Sequence, residues 1–397
     1  MRRSALVVLG AALLAVLTLF ATPLIAQQQP AAPAAPAASQ QPPPELPVRG
    51  YVLIDFHSGR TLVDKNSESR MEPASITKLM TGYVIYKRLA EGKLKLTDQI
   101  AVSDNARKAE GSRMFVETGD KVAVEDLLMG MVVQSGNDAT IALAEHIAGS
   151  EASFVTMMNQ YATELGLTNT HYMNVTGLPH PDHYTTARDI ATLARAIIKD
   201  FPDHYVRYSV KSFKYNKIEQ PNRNKLLWRD PSVDGIKTGH TASAGFCLAS
   251  SAKRGDMRLI AVVLGAKVEE ERFKASQELL EYGFRVFETH KLYDANHAVT
   301  EARVWKGDAS KLPLGFLNSV FVTIPKGRYQ DLNASLQVDT AIEAPVHKGA
   351  RFGNVNITLD GTAVTDLPLV ALQDVAEAGL LGRLTDDVLL MIYSLFD

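Results

Sequence analysis

The chain has 397 residues, 46% of them hydrophobic and 22% charged, a globular balance rather than a disordered one. That length allows two or three domains with a sizeable core, and a formal net charge of −2 argues against nucleic acid as a partner. The single cysteine, Cys247, excludes an intrachain disulfide framework and a cysteine-based zinc site.

At the start, Arg2 and Arg3 precede an apolar run from Ala5 to Phe20, and Ala21 to Ala26 offers small residues for a cut. This is the pattern of an export leader over residues 1–26. Its removal takes away both arginines and brings the net charge from −2 to −4. Leu24 is larger than the residue usually found three places before such a cut, and the run nears the roughly 20 residues that span a membrane. An uncleaved anchor therefore stays open; both readings export the rest of the chain. Residues 27–47 hold 7 prolines and almost no charge, a polyproline-II spacer rather than fold or a proline-motif ligand.

Folded structure is expected from Tyr51 onward. Val52–Asp55 and Thr61–Asp64 flank Phe56-His57-Ser58-Gly59-Arg60, a hairpin signal. Ile76, Leu79, Met80 and Tyr83 recur at helical spacing until Gly92. Helical patterns continue over Leu127–Val132, Ala139–Ile147 and Asp189–Ile198. Strands return with Phe246–Ala252 and Arg258–Leu264, so Arg254-Gly255-Asp256 between them reads as a turn, not an adhesion signal. After Phe287 the strands are short, as in Val320–Ile324, Ser335–Val338 and Val355–Leu359, and predict a second, β-rich domain. The two hairpins predict a largely antiparallel sheet with a helical cluster packed against it.

Three short motifs carry chemistry. Ser75-Ile76-Thr77-Lys78 opens a helix, where a three-residue spacing puts hydroxyl and amine on one face. A serine hydroxyl is a weak nucleophile, and a lysine of lowered pKa can take its proton. Helix-start N–H groups favour developing negative charge. Ser135-Gly136-Asn137 lies between two helical segments; the glycine is expected to permit a bend that turns Ser135 and Asn137 inward. Lys237-Thr238-Gly239-His240-Thr241 reads as an edge strand, with Lys237 and Thr238 suited to a substrate carboxylate and Gly239 to close approach by the substrate backbone. Each motif alone also reads blandly, as a chance Ser-x-x-Lys, a helix–helix turn and a solvated edge.

In this order and in these contexts the three match the set of serine β-lactamases and penicillin-binding proteins, with Ser-Gly-Asn in place of Ser-Asp-Asn. The chain resembles the low-molecular-mass penicillin-binding proteins, specifically the D-alanyl-D-alanine carboxypeptidases of the type-5 kind, over roughly residues 48–397. Further blocks of similarity are Leu165-Gly166-Leu167-Thr168-Asn169-Thr170-His171 and Gly283-Phe284-Arg285-Val286-Phe287-Glu288-Thr289.

The resemblance implies an α+β fold: a β-lactamase/transpeptidase-like domain at residues 48–288, a small β-rich domain at 289–378 and an amphipathic helix at 379–397. It implies that Ser75 is the acyl-enzyme nucleophile and Lys78 its general base, with Ser135 a further catalytic residue. Asn137, Lys237, Thr238, Gly239 and His240 would bind substrate, the N–H groups of Ser75 and His240 forming an oxyanion hole. Arg272 falls where the family has an arginine near the substrate carboxylate; otherwise it is a solvated arginine in a strand-to-helix loop. No cofactor or metal is implied, and His171, His180 and His183 read as loop histidines in contact with solvent. Cys247 reads as an inert core thiol.

The partners implied are peptidoglycan stem peptides, β-lactams as covalent inhibitors and a membrane surface. The location implied is the periplasmic side of the bacterial inner membrane. On the terminal helix, Leu381, Leu384, Val388, Met391, Ile392 and Leu395 share one face and Arg383, Asp386, Asp387 and Ser394 another. Its acidic polar face departs from the Lys/Arg-rich faces usual at lipid, and packing on the β-rich domain is the alternative. The stretch Thr186-Ala187-Arg188-Asp189-Ile190-Ala191 and the extra C-terminal domain disfavour a β-lactamase. A β-lactamase, a D,D-endopeptidase and a non-catalytic wall-binding protein on the same fold remain the competing readings.

Overall fold

The computed structural model describes residues 42–393. The leader reading, most of the proline-rich spacer, and Ser394 and Leu395 of the terminal helix lie outside the described residues.

Strands β1 (Gly50–Asp55) and β2 (Thr61–Lys65) form the expected hairpin. The helical part follows: α1 (Lys78–Ala90), α2 (Asn137–Ala148), α3 (Glu151–Glu164) and α4 (Ala187–Asp200). Helix α3 has no counterpart among the expected elements. Its start is nonetheless written locally, since the Ser150 side chain accepts the Ser153 N–H, as Thr186 accepts that of Asp189 to open α4. Strands β3 (Val233–Thr241), β4 (Gly245–Arg254) and β5 (Met257–Ala266) then complete an antiparallel sheet in the order β2-β1-β5-β4-β3. Helix α5 (Glu269–Val286) returns across it.

The near-continuous apolar run of β5 is explained by cover on both faces. Ile260, Val262 and Leu264 join Val52 and Ile54 in one core with α1, α2 and α4. Leu259, Ala261 and Val263 join Leu53 in a second core under α5. The period of two thus divides one strand between two cores. Helix α1 is buried on nearly every side, so its first residue, Lys78, just after the turn that carries Ser75, is firmly held.

The β-rich part begins directly after α5. It comprises β6 (Phe287–Tyr293), β7 (Ala298–Trp305), β8 (Lys311–Gly315), β9 (Val320–Pro325), β10 (Leu332–Val338), β11 (Ile342–Glu343), β12 (Arg351–Leu359) and β13 (Thr362–Ala371). Strands β6 and β9 pair alone, and the rest form a sheet in the order β10-β12-β13-β8-β7-β11 around a third core. The seam with the first sheet is polar: buried Asp55 accepts from Ser58 and, at 2.8 Å, from the Thr289 hydroxyl. The Ser58 and Thr323 hydroxyls lie 2.7 Å apart, and the His57 ring stacks on Phe321.

Helix α6 (Leu380–Tyr393) resolves the charge pattern that departs from lipid-bound helices. Asp386 Oδ2 accepts the Lys306 N–H at 2.6 Å, Asp387 pairs with the Lys306 ammonium at 3.0 Å, and Arg383 pairs with Glu377 at 2.7 Å. The acidic face is therefore turned to the β-rich domain. Leu380, Leu381, Leu384 and Val388 are exposed, Leu381 by 82%. No helix among the described residues is long and apolar enough to cross a membrane.

Candidate active site

Ser75 lies in a 3-10 turn, Ala74–Thr77, that leads into α1, rather than in the α-helix itself. Side chains three apart eclipse in such a turn, and Lys78 Nζ stands 3.1 Å from Ser75 Oγ. The same ammonium donates to Asn137 Oδ1 at 2.6 Å and to the Thr176 carbonyl at 2.8 Å. Lys78 is only 1% exposed. Burial, with nearby Arg223, pulls its pKa down to about 7.

The Ser135-Gly136-Asn137 motif bends inward as expected, for a different reason. A turn of π-helix, Gly130–Gln134, ends at Ser135, and Ser135 itself takes the left-handed conformation (φ 66°, ψ 31°) while Gly136 is extended. What requires glycine at 136 is space: a Cβ there would lie 2.8 Å from Asp138 Oδ1 and 3.1 Å from the Met114 nitrogen. Lys237 Nζ donates to Ser135 Oγ at 2.9 Å and to the Thr238 carbonyl at 3.0 Å. Burial and the neighbouring Lys78 charge hold its pKa well below the ordinary lysine value.

Strand β3 is an edge of the sheet, as expected. Lys237 and Thr238 are buried, and His240 is exposed with its ring stacked on Phe246 at 4.0 Å. At Gly239 the close approach is made by the protein rather than left for a substrate backbone. A Cβ there would sit 2.8 Å from the Pro73 carbonyl and 3.2 Å from Ala74 Cβ, so glycine lets the turn bearing Ser75 lie against β3. Arg272 is not in a loop or solvated. It lies in the first turns of α5 with only 4% exposure, donating to the Gly239 carbonyl at 3.2 Å and to Glu269 at 2.8 Å. Its Nε is buried without a hydrogen-bond partner among the described residues.

The structure therefore joins Ser75, Lys78 and Asn137 in one network and Ser135 and Lys237 in another. Gly239 touches the nucleophile turn, and Arg272 reaches β3 from behind. The Thr238 side chain and the His240 imidazole are not tied by hydrogen bonds to these networks among the described residues.

Several supports went unread in the sequence. Asp138 is buried, and its carboxylate accepts the N–H groups of Met114 and Phe115 at 2.9 and 2.8 Å, fixing the loop beside Asn137. Asn174 Oδ1 accepts from Thr176 and Gly177 N–H groups and so aims the Thr176 carbonyl at Lys78. The signal was Asn174-Val175-Thr176-Gly177, an Asx-turn pattern. His183, read as solvent-facing, is buried: Nε2 lies 2.8 Å from Thr77 Oγ1, Nδ1 accepts the Met173 N–H, and burial lowers its pKa to about 4. His171 Nδ1 bonds the Asp182 carbonyl instead. Cys247 is fully buried in β4, its thiol pKa pushed up to about 11 by desolvation.

A buried lysine beside a partly exposed serine, with a second buried lysine on a sheet edge, is an arrangement for acyl transfer. Comparison with known proteins bears on the same chemistry. Residues 36–268 match the family described as D-alanyl-D-alanine carboxypeptidase. Residues 287–377 match the penicillin-binding protein 5 C-terminal domain. The D-alanyl-D-alanine carboxypeptidase DacC of Escherichia coli (strain K12) is 44% identical over 361 residues, 89% of this chain and 90% of that protein. DacA of Haemophilus influenzae is 42% identical, over 89% of this chain and 92% of its own length. The crystal structure of penicillin-binding protein 5 from Haemophilus influenzae superposes with a TM-score of 0.81 and 42% identity, over 85% of this chain and 100% of that one. By sequence, and by an α+β architecture with the same two-part plan, the chain belongs to the D-alanyl-D-alanine carboxypeptidase family.

Proposed function

We propose that this serine-type D-Ala-D-Ala carboxypeptidase removes the terminal D-alanine of peptidoglycan stem peptides through an ester on Ser75. One observation carries the assignment: a fully buried Lys78 amine, with a pKa lowered to about 7, 3.1 Å from Ser75 Oγ. Neutral Lys78 takes the hydroxyl proton as Ser75 Oγ attacks the carbonyl between the two D-alanines. The N–H groups of Ser75 and His240 stabilise the oxyanion. The proton passes to the departing D-alanine nitrogen as the C–N bond breaks, with Ser135 as relay. Water then hydrolyses the ester, activated again by Lys78.

Asn137 orients both Lys78 and the substrate amide. Lys237 and Thr238 meet the terminal carboxylate, while Gly239 lets β3 lie against the nucleophile turn and Arg272 supports β3 through the Gly239 carbonyl. β-Lactams acylate the same serine, because their ring amide opens without giving a diffusible leaving group. Incubation with a labelled penicillin followed by peptide mapping tests the assignment: the label should lie on Ser75, and a label elsewhere would refute it.

Protonation gives a further expectation. The base acts as the free amine, so the rate constant for acylation should rise with pH and reach half its plateau near pH 7, the value to which Lys78 is lowered. Below that it should fall about tenfold per pH unit. A pH-independent acylation rate between pH 5 and 9, on the order of a two-unit margin either side, would remove Lys78 as the base.

We also propose a periplasmic location at the inner membrane, with the chain divided at 26, 47, 288 and 378 into leader, spacer, peptidase, β-rich domain and membrane-associating helix. Support for the helix is its exposed leucine face and an acidic face whose Asp386 pairs with Arg303 and whose Asp387 pairs with Lys306. With the aspartates turned away from lipid, apolar burial supplies the affinity. Detergent should therefore release the protein and high salt should not. A chain truncated after Ala378 should leave the membrane fraction with its carboxypeptidase activity intact, provided the leader is cleaved. If it stays, the leader is the anchor.

A further inference from the structure

We propose that Ser243 and Glu72 are positioning residues that clamp strand β3 to the nucleophile turn and so set the width of the acylation cleft. The inference rests on the acyl-transfer reading above and adds residues outside its machinery.

The cleft has two walls. One is the turn Glu72-Pro73-Ala74-Ser75, in which Ala74 is held at φ +47°, a costly conformation for a residue with a Cβ. The other is β3, whose Gly239 leaves no room for a Cβ against Pro73. Contact at Gly239 sets how closely the walls can approach. Something must also keep them from separating, because β3 is an edge strand and, among the described residues, no further strand is hydrogen-bonded on its outer side.

The tie lies just past the end of β3. Ser243 Oγ donates to Glu72 Oε2 at 2.5 Å, three residues before the nucleophile. The turn that carries Ser243 is held from inside by Thr241 Oγ1, which accepts the Ala244 N–H at 3.0 Å. It is held from behind by Arg49, whose guanidinium donates to the carbonyls of Ser243 and Ala244. Arg49 is itself anchored, its N–H donating to the Leu264 carbonyl of β5 at 3.1 Å, with its side chain lying over Gly265 where a Cβ would clash. The sheet thus grips the turn through Arg49, and the turn grips the nucleophile segment through Ser243 and Glu72. This hydrogen bond is the cross-link between the two walls.

Opening the clamp would move Ser75 relative to the His240 N–H by a fraction of an ångström. That change raises the acylation barrier without removing any group that binds substrate. Loss of the tie should therefore appear in the limiting rate and spare the binding constant.

The experiment uses the full chain, a fluorescent penicillin to follow acylation, and diacetyl-L-lysyl-D-alanyl-D-alanine to measure kcat and KM. Ser243→Ala should slow limiting acylation and kcat about tenfold, with KM and the penicillin dissociation constant changed less than about twofold. Ser243→Thr, which keeps the hydroxyl, should restore the rate. Glu72→Gln keeps an acceptor oxygen and should stay within about threefold of the parent, whereas Glu72→Ala should match Ser243→Ala. The double variant Ser243→Ala/Glu72→Ala should be no slower than the slower single one, as expected for two partners in one bond.

Parental kinetics in Ser243→Ala, additive losses in the double variant, or a loss confined to KM would overturn the clamp. So would Glu72→Gln as slow as Glu72→Ala, which would make the carboxylate charge the active feature. A parent chain that takes no penicillin label on Ser75 overturns the acyl-transfer reading itself. A labelled parent with a fully active Ser243→Ala overturns only the clamp.

Discussion

Ser75→Ala should release no D-alanine and take no β-lactam label. The side chain removed is the only atom set that forms the ester, so the rate should fall by about 10⁴-fold or more, to whatever the oxyanion donors alone supply. Ser75 is half-buried at the mouth of the site and donates to no buried acceptor among the described residues, so the variant should fold as the parent does. Lys78→Ala should be nearly as inactive, with an added cost. It leaves Asn137 Oδ1 and the Thr176 carbonyl without their shared buried donor, a loss of about 1–3 kcal/mol for each unsatisfied group. Intact-mass detection of the penicilloyl adduct and a D-alanine assay read both variants. Parental D-alanine release by Ser75→Ala would sink the mechanism. Parental acylation of Lys78→Ala would pass the base role to Lys237, the other buried lysine in reach of a serine hydroxyl.

The catalytic side chains were legible because their chemistry demands residue types at short fixed spacings. Ser75 and Lys78 need a spacing of three positions to bring hydroxyl and amine together, and one helical or 3-10 turn supplies it. Sheet content was legible for a related reason: the two hairpins announce themselves through turn residues and flanking apolar runs.

What stayed hidden depends on contacts between distant segments. Gly239 was read as room for a substrate, yet it meets Pro73, more than 160 residues away in sequence. No local pattern encodes that meeting. Arg272 was read as lying near the substrate carboxylate or, otherwise, solvated in a strand-to-helix loop; the loop alternative fails because Glu269, Glu270 and Glu271 open a helix, where three acidic residues in the first turn suit the helix dipole. Asp386 and Asp387 were read as weakening attraction to anionic lipid, because a helical wheel shows which residues share a face but not what the face meets. Both meet Lys306 on the β-rich domain.

Gly177→Ala should disable the site from the other side of the nucleophile. Gly177 has φ +88°, and a Cβ there would lie 1.8 Å from the Ala74 carbonyl oxygen and 2.3 Å from its carbon. Neither segment can yield cheaply. The Gly177 N–H is held by Asn174 Oδ1 at 2.7 Å, the adjacent Thr176 carbonyl binds Lys78, and Ala74 is already strained at φ +47°. Relief therefore displaces the turn bearing Ser75 or the carbonyl that aims Lys78, and either shift should cost about 100-fold in acylation. Stability should fall as well, by about 1–2 kcal/mol for the left-handed backbone and about 1–3 kcal/mol for overpacking. Gly166→Ala separates the two effects. Gly166 has φ +70° but nothing within 4 Å of the added Cβ, so that variant should lose the backbone part of the stability and acylate at the parental rate. Thermal unfolding and penicillin acylation measured on both variants decide the matter: if Gly177→Ala acylates as fast as Gly166→Ala, the 174–177 loop does not position the nucleophile.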